Sequence, residues 1–258
     1  MNRKKFGKRA LTKDVMWIYG KHATKAALLN PKREILRFIL LESNKNFLQE
    51  ITETSKNTPS PELVDKNYFH TLFGQEATHQ GCAVLVRKQP EISLEELLQD
   101  ETDDRPFIFL DQVADPQNIG SILRAAAVFG ARAVVITEDH SPEITPAIAK
   151  AASGTLEFVP LIRVINLVQS INILKKHGFW SIGLDERAEK RLDETDLCGK
   201  FIFIIGNEGT GLRRLSKEAC DFVAQLPGPS TFTTLNAAQA ATVTLYESSK
   251  QRMKGKQQ

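Results

Sequence analysis

Apolar residues along this chain fall into two kinds of run: short unbroken stretches that suit strands, and longer ones in which apolar positions recur every three or four residues, as helices require. From Met16, MWIYG predicts a strand and KHATKAALLN a helix that stops at Asn30 and Pro31. ILRFILL predicts a second strand. A polar helical segment near 44–55, a Thr-Pro-Ser-Pro turn, a helix around 65–73 and the strand CAVLVRK complete a small α/β unit ending near Lys88. The second half alternates more regularly. FIFLD, RAVVIT, LEFVPLI, FWSIGL and FIFIIG predict strands; IGSILRAAAVFG, ended by Gly130, ITPAIAKAA and INLVQSINILKKHG predict helices between them. Such βα alternation implies a parallel sheet covered on both faces. A short strand near 222–226 and a long helix from about Leu235 into ESSKQRMK close the chain.

The stretch Phe201–Leu215, FIFIIGNEGTGLRRL, organises the second half. Its apolar start predicts a strand buried on both faces, Gly206, Gly209 and Gly211 a tight loop open to a ligand, and Leu212–Cys220 a helix. The loop spacing is G-x-x-G-x-G with Glu208 inside, not the G-x-G-x-x-G that opens onto pyrophosphate. A carboxylate there repels phosphate and suits a neutral or cationic ligand, of which the sulfonium of S-adenosylmethionine is one. A glycine-rich turn with a solvated Glu is the other reading the loop allows.

Between the halves, residues 89–105 hold seven Asp or Glu, with Pro90 and Pro106 at the edges and only SLEELLQ helical in character. They read as a solvated acidic linker about which the flanking domains move. The implied division is a basic disordered tail over 1–15, a first domain over 16–88, the linker, a second domain over 106–253 and a basic tail over 254–258.

Composition changes this picture little: 41% hydrophobic and 25% charged residues in 258 are those of a globular protein, and no apolar run approaches the ~20 residues that span a bilayer. Charge placement says more. Residues 1–33 hold ten Lys or Arg against the single acid Asp14, which suits an RNA-contacting or solubilising tail better than a mitochondrial presequence, because the first ten residues lack Ser and amphipathic apolar content. Cys82, Cys198 and Cys220 are widely spaced without a C-x-x-C pair, so a reducing cytoplasm fits and no zinc site is indicated. His22, His70, His79, His140 and His177 show no metal-ligand spacing.

Two further stretches can carry chemistry. In DPQNIGSILRAA, Asp115 and Pro116 predict a turn, Asn118 stands where an N-cap belongs, and Ile119, Ile122, Leu123 and Ala126 share a face from which Arg124 points away. Arg124 is then either a phosphate or ribose ligand or an ordinary surface Arg. In LPGPSTFTTLNAAQAATVTLYE, Thr234 and Asn236 flank a helix start, and Ala237, Ala238, Ala240 and Ala241 permit close packing.

In order and spacing, DPQNIGSILRAA, IIGNEGTGL and LPGPSTFTTLNAAQAA resemble the three motifs of the SpoU/TrmH class of the SPOUT RNA methyltransferases. IYGKHATKAAL and HQGCAVLV are similar to the opening and closing segments of the ribosomal-protein-like substrate-binding domain that many members carry, so the resemblance spans about Met16 to Arg252. It implies an α/β fold whose C-terminal parallel-sheet domain holds a deep trefoil knot, S-adenosylmethionine bound in that knot, methylation of a ribose 2′-hydroxyl, and a homodimer with sites near the subunit interface. For this chain the dimer is expected through the second domain, where the small residues of Ala237–Ala241 and Ala147–Ala152 allow close helix approach.

By the same resemblance, Asn118, Arg124, Glu208 and Asn236 form the catalytic set, with Arg124 at the target nucleotide. Ile205, Gly206, Glu208, Gly209, Leu226, Pro227, Thr234, Leu235 and Asn236 line the cofactor pocket. The third motif departs from the common LNVS: Ala237 and Ala238 replace Val and Ser, which removes one hydroxyl, while Asn236 is retained. The separate first domain is more like the members that act on a guanosine of large-subunit rRNA than the tRNA enzymes. A tRNA methyltransferase, a non-catalytic ribosome-assembly factor and a nucleotide-dependent oxidoreductase are the rival readings; Glu208 opposes the last.

Overall fold

The computed structural model describes residues 14–54, 59–139, 146–228 and 235–255, so residues 1–13 of the tail expected over 1–15, residues 256–258 of that expected over 254–258, His140 and Thr234 lie outside the described residues, while Val15 already belongs to the first strand and Lys254 to the last helix. The chain divides into two compact units, Met1–Pro90 and Glu91–Gln258.

In unit 1, β1 (Val15–Tyr19), α1 (Lys21–Leu29), β2 (Ile35–Leu41), α2 (Lys45–Thr54), β3 (Glu62–Val64), α3 (Lys66–Phe73) and β4 (Cys82–Arg87) follow one another. The sheet order is β1-β4-β2-β3, with β3 parallel to β2 and the other pairs antiparallel. Alternation along the strands sends Ile18, Phe38, Leu40, Val84 and Val86 toward α1 and α2, and Trp17, Ile39 and Ala83 toward Phe69 of α3. The short β3 was not legible as a strand.

Unit 2 contains α4 (Leu94–Leu98), β5 (Phe107–Asp111), α5 (Pro116–Phe129), β6 (Ala133–Thr137), α6 (Pro146–Ala151), β7 (Leu161–Val164), α7 (Leu167–Lys176), β8 (Trp180–Leu184), β9 (Phe201–Gly206), α8 (Arg214–Ala219), β10 (Phe222–Ala224) and α9 (Ala237–Gly255). Its sheet runs β10-β8-β9-β5-β6-β7, every neighbour parallel, as the alternation predicts. Ile108, Leu110, Phe203 and Ile205 pack with residues of α5, α6 and α9 on one face; Phe107, Phe109, Ile202 and Ile204 pack with residues of α4 and α7 on the other. This double burial explains why β9 reads as an unbroken apolar run.

Four expectations are corrected here. The segment from Glu91 to Arg105 is not a solvated linker: Leu94 and Leu98 are buried in the core of unit 2, and Ser93 and Glu96 form a reciprocal capping box on α4. Arg132, 3% exposed, anchors the end of α4 and the turn after it by donating to the carbonyls of Leu97, Asp100 (2.8 Å) and Asp103 (2.7 Å). The strand expected over LEFVPLI begins only at Leu161, because Thr155–Glu157 forms a 3-10 turn and Pro160 has no N–H for a ladder. The cap of α5 is Asp115, whose carboxylate accepts from Gln117 N–H (3.0 Å), and Asn118 lies inside the first turn. Finally, the small residues proposed for subunit contact are used within the chain. Ala237, Ala238 and Ala241 of α9 are buried in the core that includes α5, and a Cβ on Gly120 would stand 2.2 Å from that of Ala151 on α6.

Candidate active site

The carboxyl ends of β8, β9 and β10 open into a cavity of about 390 Å³. Its walls are Leu184–Arg187, Ile205–Leu212, Lys217, Gln225, Leu226, Leu235, Ala237 and Ala240. Of the residues expected at the cofactor, Ile205, Gly206, Glu208, Gly209, Leu226 and Leu235 line it; Pro227 and Asn236 adjoin lining residues without lining it themselves, and Thr234 is not described.

The glycine loop is a tight hairpin. Asn207 N–H donates to Gly211 O (3.2 Å), Gly211 N–H to Asn207 O (2.8 Å), and Gly209 N–H to Asn207 Oδ1 (2.9 Å). Gly206 is required by the loop itself, since a Cβ there would stand 2.3 Å from the Gly211 carbonyl carbon and 2.5 Å from Leu212 N. The end of β5 holds both arms. The Asn207 side-chain amide donates to Gln112 O (3.0 Å), and the fully buried Asp111 accepts from Arg213 N–H (2.9 Å) and Arg213 Nε (2.6 Å). Sequence reasoning passed over Asn207, Asp111 and Arg213; an acid ending an otherwise apolar strand was the available signal.

Glu208 is largely exposed, yet one oxygen joins all three motifs: Oε1 accepts from Asn118 Nδ2 (2.7 Å) and from Ala237 N–H (3.4 Å) at the start of α9. The unpaired N–H groups of a helix start favour a carboxylate there. The Glu is solvated, as the plainer reading of the turn has it, and is tied to two other elements as well. Asn236 caps α9, its Oδ1 accepting from Gln239 N–H (2.7 Å) while Gln239 Oε1 accepts from Asn236 N–H (3.2 Å). That reciprocal cap fits a motif in which Ala238 carries no hydroxyl. Arg124 stands apart: it is exposed on α5, does not line the cavity, and has no hydrogen-bond or ion-pair partner among the described residues.

At the rim, Lys217 Nζ donates to Asp185 Oδ2 (2.5 Å), and this hydrogen bond holds the Asp185 carboxyl below its ordinary range. Cys82 is buried, Cys198 exposed and Cys220 half-buried, all as free thiols; burial pushes the Cys220 thiol up to about 12. Among the described residues no group of three or more His, Cys, Asp or Glu is placed to hold a metal ion, and no helix is long and apolar enough to cross a membrane.

A cavity at the carboxyl ends of parallel strands, beside a glycine hairpin and a helix start, defines an α/β domain with room for a small ligand there and polar side chains at its mouth. The chain belongs to the SpoU rRNA methylase family, whose model matches residues 105–246; residues 17–91 match an RNA 2′-O ribose methyltransferase substrate-binding domain. It is 36% identical over 240 residues to the 23S rRNA (guanosine-2′-O-)-methyltransferase RlmB of Coxiella burnetii, covering 91% of this chain and 95% of that one. To the protein of the same name from Pseudomonas putida it is 34% identical, covering 91% and 96%. The fold is similar to the crystal structure of the SpoU methyltransferase AviRb from Streptomyces viridochromogenes in complex with the cofactor AdoMet, with a TM-score of 0.77, 22% identity, and coverage of 94% and 92%.

Proposed function

We propose that this protein transfers a methyl group from S-adenosylmethionine to the 2′-hydroxyl of a guanosine in 23S-type rRNA, working in the cytoplasm as a homodimer. The observation that carries this reading is the convergence on Glu208, where the first turn of α5, the glycine hairpin and the start of α9 meet at the mouth of the cavity. The cavity suits the cofactor. Its volume lies within the ~300–1,000 Å³ of small-molecule sites, leucines and an isoleucine form apolar walls, and the hairpin exposes main-chain groups. Ile205, Gly206, Leu226 and Leu235 would hold the cofactor, with Pro227 adjoining them; the expected contact from Thr234 lies outside the described residues.

When bound, S-adenosylmethionine supplies an electrophilic methyl carbon on a sulfonium. The chain does the rest. Asn118, Glu208 and Asn236 orient the ribose, and the guanidinium of Arg124, unpaired among the described residues, holds the target phosphate and favours the developing alkoxide: the 2′-oxygen bonds the methyl carbon as the carbon–sulfur bond breaks, S-adenosylhomocysteine leaves, and the hydroxyl proton passes to water. The family's deep trefoil knot belongs to this reading, as does a subunit contact through α5 and α9. Val128 (74% exposed), Val243 (43%) and Tyr246 (53%) of those helices face solvent, and Phe129 packs edge-on against Tyr246 at 5.9 Å.

RNA from a strain lacking this protein, incubated with pure enzyme and labelled cofactor, should take up methyl groups at a ribose of large-subunit rRNA. Mapping 2′-O-methyl positions with and without the gene identifies the nucleotide. A loss confined to tRNA would overturn the substrate, and no acceptance by any RNA would overturn the enzyme.

A further inference from the structure

At the end of the sheet where β8, β9 and β10 begin, opposite the cofactor cavity, the described residues line a second, wide-open cavity of about 390 Å³. Trp180, the first residue of β8, lines it with 59% of its surface exposed, while its N–H donates to Lys200 O (2.9 Å) and keeps the strand in register. Two cations line it as well. Lys190 Nζ lies 4.1 Å from the ring centroid of Phe222, and Lys200 Nζ lies 5.5 Å from that of Phe179. Neither ammonium is paired with a carboxylate among the described residues; Lys200 donates to the Glu101 carbonyl (2.8 Å). Asp196 is the acid in the lining, and its Oδ1 is occupied by Cys198 N–H (2.9 Å). The last turn of α9, which carries the exposed Lys254, abuts the same wall, for a Cβ on Gly255 would stand 3.4 Å from Cys198 Sγ.

We infer that this cavity takes an unpaired nucleotide of the RNA substrate, its base on the Trp180 indole and its phosphates at Lys190 and Lys200. The inference rests on the reading that the protein methylates RNA. An exposed indole offers a face on which any base stacks, and ammonium groups not committed to carboxylates are free to replace the counterions of phosphates. The two cavities lie at opposite ends of the five-residue strand β8, roughly 17 Å apart at ~3.3 Å per residue, so an RNA engaging both follows the surface of the domain over more than that length.

The test compares wild type with Trp180→Ala, Trp180→Phe and the double variant Lys190→Glu/Lys200→Glu, using naked rRNA transcripts and protein-containing ribosomal particles. Trp180 is mostly exposed, so its replacement leaves folding intact, and S-adenosylhomocysteine binding monitors the cofactor cavity. Trp180→Ala should raise KM for naked RNA about tenfold and Trp180→Phe much less, with kcat at saturating RNA unchanged. The double variant should lower the slope of log Kd against log salt by about 1.4, at ~0.7 per phosphate of a single strand. Unchanged KM and slope in active enzyme would overturn the inference alone. A defect seen on particles but not on naked RNA would give the cavity to a protein partner, and equally overturn it. Wild-type protein that methylates no RNA would bring down the functional reading and this site with it.

Discussion

Asp111 shows how a single residue can set the shape of the site without touching a ligand. Its carboxylate is fully buried, and Arg213 supplies its partners, the main-chain N–H and the guanidinium both donating to it. Arg213→Ala leaves the first donor and removes the second. Breaking a fully buried pair costs about 3–5 kcal/mol. The Arg213 side chain is 42% exposed, so water can reach the vacated position, and we expect about 1–2 kcal/mol in urea unfolding together with roughly tenfold weaker S-adenosylhomocysteine binding by calorimetry. Wild-type cofactor affinity in this variant would show that the clamp does not position the hairpin. Arg124 is the opposite case. It is exposed and unpartnered among the described residues, so Arg124→Ala should shift stability by about 0.5 kcal/mol or less, leave cofactor binding intact and lower turnover roughly a hundredfold. Near-normal kcat on the RNA would return Arg124 to an ordinary surface position. Gly206→Val would block cofactor binding through the hairpin, because the added carbons meet the Gly211–Leu212 backbone before they meet any ligand.

At the scale of elements, small residues and short helices were read with the right local structure and the wrong neighbours. The alanines of α9 and the Gly120 contact with α6 bring helices of one chain together, which leaves the larger residues Val128, Val243 and Tyr246 exposed for the subunit contact proposed above. The acidic segment around α4 reads as soluble because most of its side chains are charged, yet its two buried leucines, one turn apart, tie it to the sheet. Leu98→Ala should therefore cost about 2–3 kcal/mol of unit 2 stability by denaturant melting. A cost within about 0.5 kcal/mol, as a solvated linker would show, would contradict the packing described.

For the whole molecule, assembly is the open quantity. Sedimentation should give twice the chain mass for wild type at micromolar concentration, and Val128→Glu combined with Tyr246→Glu should give a folded monomer, since charges placed on a buried apolar contact are left unpaired. A fully active wild-type monomer would remove the dimer from the proposal.

The order of strands and helices in unit 2 and its parallel sheet were legible in the sequence, because a strand covered on both faces must be apolar throughout and a helix on one face must be periodic, and both are local constraints. Glu208, Asn118 and Asn236 were legible through the family resemblance of three separated motifs. That they belong to one site came from that resemblance and from no local pattern: the Asn118–Glu208 hydrogen bond spans 90 positions of chain, and Asp111 with Arg213 spans 102. Such pairs are invisible to periodicity, since nothing in the local pattern of either residue depends on the other. Only the tertiary fold decides which polar group a buried carboxylate finds, where a small helix packs, and which end of a sheet is left with an exposed indole.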